Sequence, residues 1–417
     1  MLIAARALLG LGGATLMPST LSLVRRIFRD DRQRSAAIAI WSGAMAGGVA
    51  LGSVLSGVLL EHFWWGSVFL ANLPAMVLLL VAMPLLVPEF RQASPGKFDL
   101  VSVPLSMAAV LPIVYALKEF AAEGFAITYL VSMVVGVGFA ALFVHRQRTY
   151  RSPMVDPALF RNAGFSAVMM LNTLIMFAMM GSAYFIAQYL QSVLGKTALE
   201  AALWNLLPSV AVLISAPAAA AAARAFGRRP VIVTGFTVAT GGFAVLTQVG
   251  TDSLWMLIAG AGVLGAGAVS VLSQVVDIAL GISPGHQAGA VSALSETSTE
   301  FGGALGMAVL GSIGTAVFRD GMRDKLPDGI PAEAADAAGQ TMAGAAHVAA
   351  TLEGRMSQDL LRAAREAYTN GFTLAAGVGA TLLLGATILA ALALRGVPAA
   401  EKGEVPVDRV SDEDAAQ

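Results

Sequence analysis

The chain has 417 residues, of which 57% are hydrophobic and 13% are charged, and its mean hydropathy is +0.73. A soluble domain carries about 25% charged residues, so this composition excludes a soluble globular protein and predicts a helical protein that crosses a membrane several times. A net charge of −1 without a basic stripe excludes a nucleic-acid partner. The absence of cysteine excludes disulfides, and the four scattered histidines predict no metal site.

Apolar runs bounded by charged residues, Pro or Gly predict an all-α bundle of about eleven membrane spans. These spans are approximately 1–24, 36–60, 66–87, 98–117, 124–144, 163–190, 200–223, 231–250, 254–280, 289–317 and 371–395. Lysine and arginine concentrate in alternate loops, such as those that carry Arg25 to Arg34 and Arg224 to Arg229. The positive-inside rule therefore places these loops and the C-terminus in the cytoplasm, and Met1 outside.

The first span contains Arg6, and a cation inside a membrane helix needs neighbouring helices that supply partners or water. With Met1 placed outside, Arg6 leads us to expect that helices which belong upstream of this span are missing from the chain. At the start of the fourth span, Asp99 is predicted to be a helix N-cap.

A long segment, 318–370, is expected outside the membrane between the last two spans. Its first part, DGIPAEAADAAGQTMAGAA, is predicted to be flexible. Its second part predicts an amphipathic helix that lies on the membrane surface, covers the mouth of the bundle or is only a solvated connector. The apolar positions of that helix are Leu352, Met356, Leu360 and Leu361. The acidic tail 396–417 is predicted to be disordered.

The tenth span carries two carboxylates, Glu296 and Glu300, which share one helix face that Gly303 continues. If the helix begins at SETSTE, the two acids form a polar first turn at the cytoplasmic interface. If it begins near Gly289, Glu296 lies about 10 Å and Glu300 about 16 Å into the helix, so that Glu300 is the deeper. In the second case the acids have lost solvation, and a proton and a cation can compete for them.

The sixth span is rich in methionine and aromatic residues, which pack helices but also suit the recognition of flat lipophilic cations. Four residues with polar tips are candidates for contact with such a ligand: Tyr184, Gln188, Asn172 and Trp204.

Two glycine-rich spans resemble motifs of the major facilitator superfamily, in its family of 14-helix drug:H+ antiporters of the methyl-viologen and quaternary-ammonium exporter type. LIAARALLGLGGA resembles the fourth-helix motif through Arg6, Gly10 and Gly12. GAMAGGVALGSVLSGVLL resembles the fifth-helix antiporter motif, although Ser53 replaces its usual proline. The matching positions of the second motif are Gly43, Gly47, Gly48, Gly52 and Gly57.

Three further stretches resemble the same family in the same order. RSPMVDPALFRN is similar to its loop before the second half, AFGRRP to its repeated cytoplasmic loop, and AGAVSALSETSTEFGGALGMAVLGSIG to its thirteenth helix. The resemblance covers 1–395 and implies that the first three of fourteen helices are absent. It also implies that Arg6 holds a proton-relay carboxylate or its water, and that the glycines of the second span act in gating or against proton leak.

The expected organisation has four parts. They are a remnant of the N-terminal bundle at 1–87, an inserted helix pair with linkers at 88–150, a C-terminal six-helix bundle at 151–395 with the outside loop 318–370, and a cytoplasmic tail at 396–417.

The resemblance implies proton-coupled efflux of lipophilic or cationic drugs across the cell membrane by alternating access. A transporter of the same fold for another substrate (a lipid, a metabolite or a self-made antibiotic) and a truncated, inactive membrane protein remain alternatives. The expected partners are a small molecule, protons and the lipid bilayer, with no cofactor. An enzyme is not expected, because no nucleophile–base set, phosphate loop or metal cluster is visible.

Overall fold

The computed structural model of the chain is a bundle of α-helices. It describes residues 30–86, 99–123, 126–150, 157–282, 288–323 and 330–396, with isolated positions before residue 29 and at 153, 325 and 326. In chain order the helices are α1 Asp31–His62, α2 Ser67–Leu70, α3 Asn72–Leu86, α4 Ser102–Glu123, α5 Ile127–Thr149, α6 Ala163–Gln188, α7 Ala198–Trp204, α8 Leu206–Phe226, α9 Arg228–Leu246, α10 Leu254–Ile282, α11 Ala288–Arg323, α12 Ala332–Gln340, α13 Met342–Thr351 and α14 Arg355–Ala393.

Nine helical segments in the described part of the chain are long and apolar enough to cross a bilayer. They coincide with predicted spans three to eleven, and the second predicted span lies within α1. Most of the first predicted span, including Arg6, and the tail beyond residue 396 fall outside the described residues. The prediction of an all-α, multi-span membrane bundle is therefore confirmed.

The segment between the tenth and eleventh spans was predicted to begin with a flexible stretch, and this prediction is wrong. Helices α12 and α13 occupy much of it, and the Thr341 hydroxyl caps α13 by accepting a hydrogen bond from Gly344 N at 3.0 Å. Ala345 and Leu360 are both fully buried, in α13 and α14 respectively. Alanine-rich helices of this length are marginal alone, and neighbouring apolar surface stabilises them.

The predicted amphipathic helix forms the first turns of α14, which runs without interruption into the last predicted span. The last span therefore belongs to a helix that begins at Arg355 rather than at residue 371. Leu352 lies outside this helix, at the C-terminus of α13. We call α12, α13 and the first turns of α14 the outer cap.

Helices α6 and α11 pack against each other at backbone contact distance. A Cβ atom on Gly302 would lie 2.4 Å from the Thr173 carbonyl oxygen, and one on Gly306 would lie 2.0 Å from the Phe177 carbonyl oxygen. Only glycine fits at these two positions, because any side chain would push the helices apart. The acidic helix α11 is thereby held against α6.

A buried carboxylate fastens α4 to α5. Asp99 is 4% exposed and accepts hydrogen bonds from Arg146 Nη2 at 2.8 Å and Arg146 Nε at 2.9 Å. It also accepts from the backbone N–H groups of Val101 and Ser102, so its prediction as an N-cap is confirmed. The hydrogen bonds from Arg146 hold the pKa of the Asp99 carboxyl well below its usual range.

The α4–α5 pair also packs along α11. The Ser312 hydroxyl of α11 donates a hydrogen bond to the Lys118 carbonyl oxygen at 3.0 Å. Ala109 and Ala116 of α4 are buried at 5% and 0% exposure. The pair therefore contributes one wall beside the acidic helix.

The first prediction concerns the ion pair between α4 and α5. Asp99→Asn should lower the melting temperature of the detergent-solubilised protein by several degrees at pH 7, because Arg146 then loses a charged acceptor. Since the pKa of Asp99 is lowered by folding, the pair stabilises the protein above the ordinary aspartate pKa of about 4 and loses this effect as the pH falls below it. The difference between the wild type and the variant should therefore shrink with acidification.

A matched control for this measurement is Arg362→Met, which removes a cation that is 82% exposed and lies 3.5 Å from Glu366. An exposed pair contributes little, so its melting temperature should stay near that of the wild type. Equal melting temperatures for Asp99→Asn and the wild type at pH 7 would contradict the assigned role.

The second prediction tests the packing of the outer cap and uses the absence of cysteine from the chain. Ala345 is fully buried in α13, whereas Ala343 two residues earlier is exposed. In solubilised protein, a maleimide should modify Ala345→Cys at least ~10-fold more slowly than Ala343→Cys, because the buried site must open first. Equal rates would mean that this segment is flexible after all.

Candidate functional site

Glu296 and Glu300 line one cavity of about 970 Å³, which we call the acidic cavity. Its wall includes Thr173 of α6, Val110 of α4, and Gly10 and Gly13 from the start of the chain. The cavity therefore lies where the beginning of the chain, the α4–α5 pair and the α6–α11 pair come together.

The position of the two acids depends on where α11 begins. The helix begins at Ala288, so Glu296 lies about 12 Å and Glu300 about 18 Å along its axis. Of the two open interpretations, the long helix is the one that the structure contains. Glu300 lies one turn further along but is exposed, whereas Glu296 is half-buried.

Neither carboxylate has an ion pair or a hydrogen bond within the part of the chain that the structure describes. Arg6, expected to hold such a carboxylate, is outside the described residues. Asp277 near the end of α10 is 59% exposed, and its Oδ2 atom lies 3.9 Å from Arg228 Nη2. Among the described residues, no cation therefore pairs with the acidic residues Glu296 and Glu300.

Asn172 is buried between α6 and α11 rather than placed on the cavity wall. Its side-chain amide donates hydrogen bonds to the Ser295 carbonyl oxygen at 3.1 Å and to the Thr299 hydroxyl at 3.0 Å. The residue is 1% exposed. Contact between Asn172 and a substrate stays a prediction, and the observed role of this side chain is to connect two helices.

The structure brings two other candidates together. Gln188 Nε2 donates a hydrogen bond to the Tyr184 hydroxyl at 3.2 Å, and Tyr184 is 43% exposed on the outer half of α6. Trp204 lies elsewhere, at the end of α7, with its ring centroid 5.5 Å from that of Trp255. None of these three residues lines the acidic cavity, and their contact with a substrate also stays a prediction.

A second cavity of about 510 Å³, the apolar cavity, lies between α1, α6, α8 and α10. Its wall combines apolar residues with Ser53, Ser182, Asn205 and Ser209. The sequence analysis assigned none of these four to ligand contact. The spacing of residues on α6 could have predicted part of this wall. The wall residues there are spaced as one helix face, and they are Met179, Ser182, Ala183 and Ile186.

The motif glycines occupy different environments. A Cβ atom on Gly57 would lie 2.8 Å from Leu199 Cα, so α1 and α7 touch at the backbone there. A Cβ atom on Gly47, Gly48 or Gly52 would meet nothing within 4 Å among the described residues, so the close helix contact seen at Gly57 is not repeated at these three positions.

The remaining candidate glycines also differ in how closely other residues approach them. Gly303 is buried, and a Cβ atom there would lie 2.9 Å from Met180 Cγ. For Gly10 and Gly12, a Cβ atom would meet nothing within 4 Å among the described residues. The surroundings of Gly43 in α1 are outside the described residues. A gating role for the motif glycines stays a prediction.

Comparison with known proteins adds independent findings. The family model for the Major Facilitator Superfamily matches residues 1–184. The multidrug efflux pump LfrA of Mycolicibacterium smegmatis is 40% identical over 398 residues, which are 95% of this chain and 78% of that protein. The methyl viologen resistance protein SmvA of Salmonella typhimurium is 30% identical, over 92% of this chain and 77% of its own length.

Among solved structures, a bacterial homologue of the human lysosomal transporter Spinster, in an inward-facing and occupied conformation, is similar in fold. The TM-score is 0.51 at 17% identity, over 90% of this chain and 73% of that one. Family match, relatives and fold agree with the helical bundle and with its multi-pass membrane location. The chain belongs to the major facilitator superfamily, as a multi-pass membrane protein of its drug:H+ antiporter-type efflux transporters.

Proposed function

We propose that this efflux transporter exports lipophilic cations in exchange for protons, and that Glu296 and Glu300 are the groups which carry the proton. The observation that supports this proposal most directly is the placement of both carboxylates on the wall of one cavity, without compensating cations among the described residues. The names of the relatives, a multidrug efflux pump and a methyl viologen resistance protein, agree with cationic and lipophilic cargo.

The exchange follows from electrostatics at the acidic cavity. A carboxylate held among apolar helices attracts a positive charge more strongly than it would in water. Either a proton or a cationic cargo can supply that charge, so the binding of one disfavours the binding of the other. Protonation from one side of the membrane then releases the cargo, and deprotonation on the other side restores the site.

The apolar cavity is the proposed receptor for the lipophilic part of the cargo. Its wall is mostly aliphatic, with hydroxyl and amide groups that can adapt to different ligands. With the basic loops in the cytoplasm, the contact between Gly57 and Leu199 lies at the outer end of α1 and closes the space between α1 and α7 there. In the proposed transport cycle this contact opens to release the cargo outside.

The predicted organisation is part of the same proposal. Residues 1–87 act as the remaining part of the first half-bundle, 88–150 as the inserted pair and 151–395 as the second half-bundle, which moves against the first in alternating access. Within it, Arg6 is proposed to pair with the acidic residues, and Tyr184 and Gln188 to contact cargo from the outer half of α6.

The third prediction tests the acidic pair. In proteoliposomes, Glu300→Gln should reduce pH-gradient-driven transport of ethidium to background, since a glutamine can neither take up a proton nor attract the cation. Glu296→Gln should weaken the same activity. Both variants should elute as the wild type does in size-exclusion chromatography, because neither carboxylate has a described structural partner.

Glu353→Gln is the matched control, because Glu353 is an exposed glutamate that precedes α14 and lines neither cavity. Its transport should equal that of the wild type. Gradient-driven transport at the wild-type rate in both Glu296→Gln and Glu300→Gln would remove the acidic pair from the mechanism.

The fourth prediction concerns the apolar cavity. Ser53 lies on its wall, so Ser53→Trp should occupy part of the space and slow the transport of bulky cations more than that of small ones. Leu51→Trp is a suitable control, because Leu51 is 72% exposed on the same helix and lines no cavity. If the two variants lose transport equally, the apolar cavity does not hold the cargo.

A further inference from the structure

The contact between α6 and α11 forms a seam that includes the buried side-chain amide of Asn172. Along the seam, Gly302 and Gly306 bring the two backbones together. At its inner part, the Asn172 amide reaches across to α11 and is 1% exposed. Burying an amide without a hydrogen-bond partner costs free energy. Packing alone therefore does not explain why an asparagine occupies this position.

The two bonds of Asn172 end on the turn that carries the acidic pair. The Ser295 carbonyl oxygen, 3.1 Å from Asn172 Nδ2, belongs to the residue before Glu296. The Thr299 hydroxyl, 3.0 Å from the same nitrogen, belongs to the residue before Glu300. One side chain of α6 therefore holds both ends of a single turn of α11, directly beside each carboxylate-bearing residue.

The same turn also makes a weaker contact with Met169, and Asn172 has a buried acceptor atom beside it. Met169 Sδ of α6 lies 4.0 Å from Ser295 Oγ and 3.8 Å from Ser298 Oγ. The Asn172 Oδ1 atom is buried and receives no hydrogen bond from the described residues. A buried acceptor of this kind suits a hydrogen-bond donor, such as an ordered water or a protonated carboxyl.

No other charged or titratable group among the described residues lines the acidic cavity. Helix α6 carries no charged residue, and its Tyr184 faces Gly311, about 16 Å further along α11 than Glu300. Lys118 of α4 contacts Ser312 at a similar distance and pairs with Glu119. The remaining groups, on α10, α12, α14 and the outer end of α11, are Asp277, Glu333, Asp336, Arg355, Asp359, Arg362, Arg365, Glu366, Tyr368, Arg319, Asp320 and Arg323.

We propose that Asn172 is a positioning residue for proton exchange: by holding the Ser295–Thr299 turn, it sets how far Glu296 and Glu300 face the water of the acidic cavity, and hence the pH at which transport is half-maximal. This inference rests on the proposed function of the acidic pair. Without the two hydrogen bonds, the turn can shift so that the half-buried Glu296 side chain reaches the water of the acidic cavity.

The test measures gradient-driven ethidium transport in proteoliposomes over a range of pH for Asn172→Leu, which keeps the volume of the side chain, and for Asn172→Ala. Loss of one hydrogen-bonded connection is expected to lower the pH of half-maximal rate by about 0.5 unit or more. The control is Gln274→Leu, because Gln274 is a buried amide of α10, 3% exposed, whose side chain donates a hydrogen bond to its neighbour Ser273. Its pH profile should match that of the wild type.

A second variant covers the case in which changes at Asn172 prevent folding. Thr299→Val removes the hydroxyl from the α11 side with little change of shape, and it should shift the pH profile in the same direction. In the double variant with Asn172→Leu, the shifts should be smaller than additive, because both changes break one connection.

A lower maximal rate with an unchanged pH midpoint in these variants would overturn the inference and leave Asn172 a packing residue. An unchanged midpoint in Thr299→Val alone would do the same if Asn172→Leu does not fold. The outcome is separable from the proposed function, which fails instead if Glu296→Gln and Glu300→Gln retain coupled transport.

Discussion

The close approach of α6 to α11 is the constraint on which the rest of the structure depends. Gly302 and Gly306 let the backbone of α11 approach the carbonyl oxygens of Thr173 and Phe177, so the two helices pack at backbone contact distance. Helix α11 carries both cavity carboxylates, and α6 lines both cavities. Any larger side chain in this seam would displace the acids from the cavity that they line.

Around this seam, the bundle separates two kinds of interaction. Apolar and small residues fill the interior of the second half, where Phe165, Tyr189 and Phe236 are fully buried. Polar contacts join elements at separate points. Examples are Asp99 with Arg146 at one end of the α4–α5 pair, Lys325 with Glu366 of α14, and Asn172 across the seam. Within a membrane, an unpaired polar group cannot hydrogen-bond to water. Each of these contacts therefore fixes the position of one element relative to another.

Under the proposed function, the acidic cavity and the apolar cavity meet different requirements of an exporter of lipophilic cations. The acidic cavity supplies charge, and the apolar cavity supplies adaptable surface with a few hydroxyl groups. Both are bounded on one side by the first part of the chain and on the other by α6. A relative movement of the two halves would therefore change both at once, which is the coupling that alternating access needs.

Composition and the spacing of apolar runs by themselves determined the membrane class, the helical fold, the approximate positions of the spans from 36–60 onward, and the Asp99 cap. They suffice there because lipid forces every spanning segment to satisfy its own backbone hydrogen bonds, so that long apolar runs become helices. The pair Glu296 and Glu300 was also found in this way, since residues four apart share a helix face.

Only the tertiary structure decided the rest. It made the alanine-rich stretch of the outer cap helical, joined the amphipathic segment to the last span, and placed Asn172 in the seam instead of on a cavity wall. It also brought Ser53, Ser182, Asn205 and Ser209 to one cavity from three separate stretches of the chain. These features depend on which helix faces pack together. The periodicity of a sequence predicts that a helix has an apolar face, but it does not predict which other helix packs against that face.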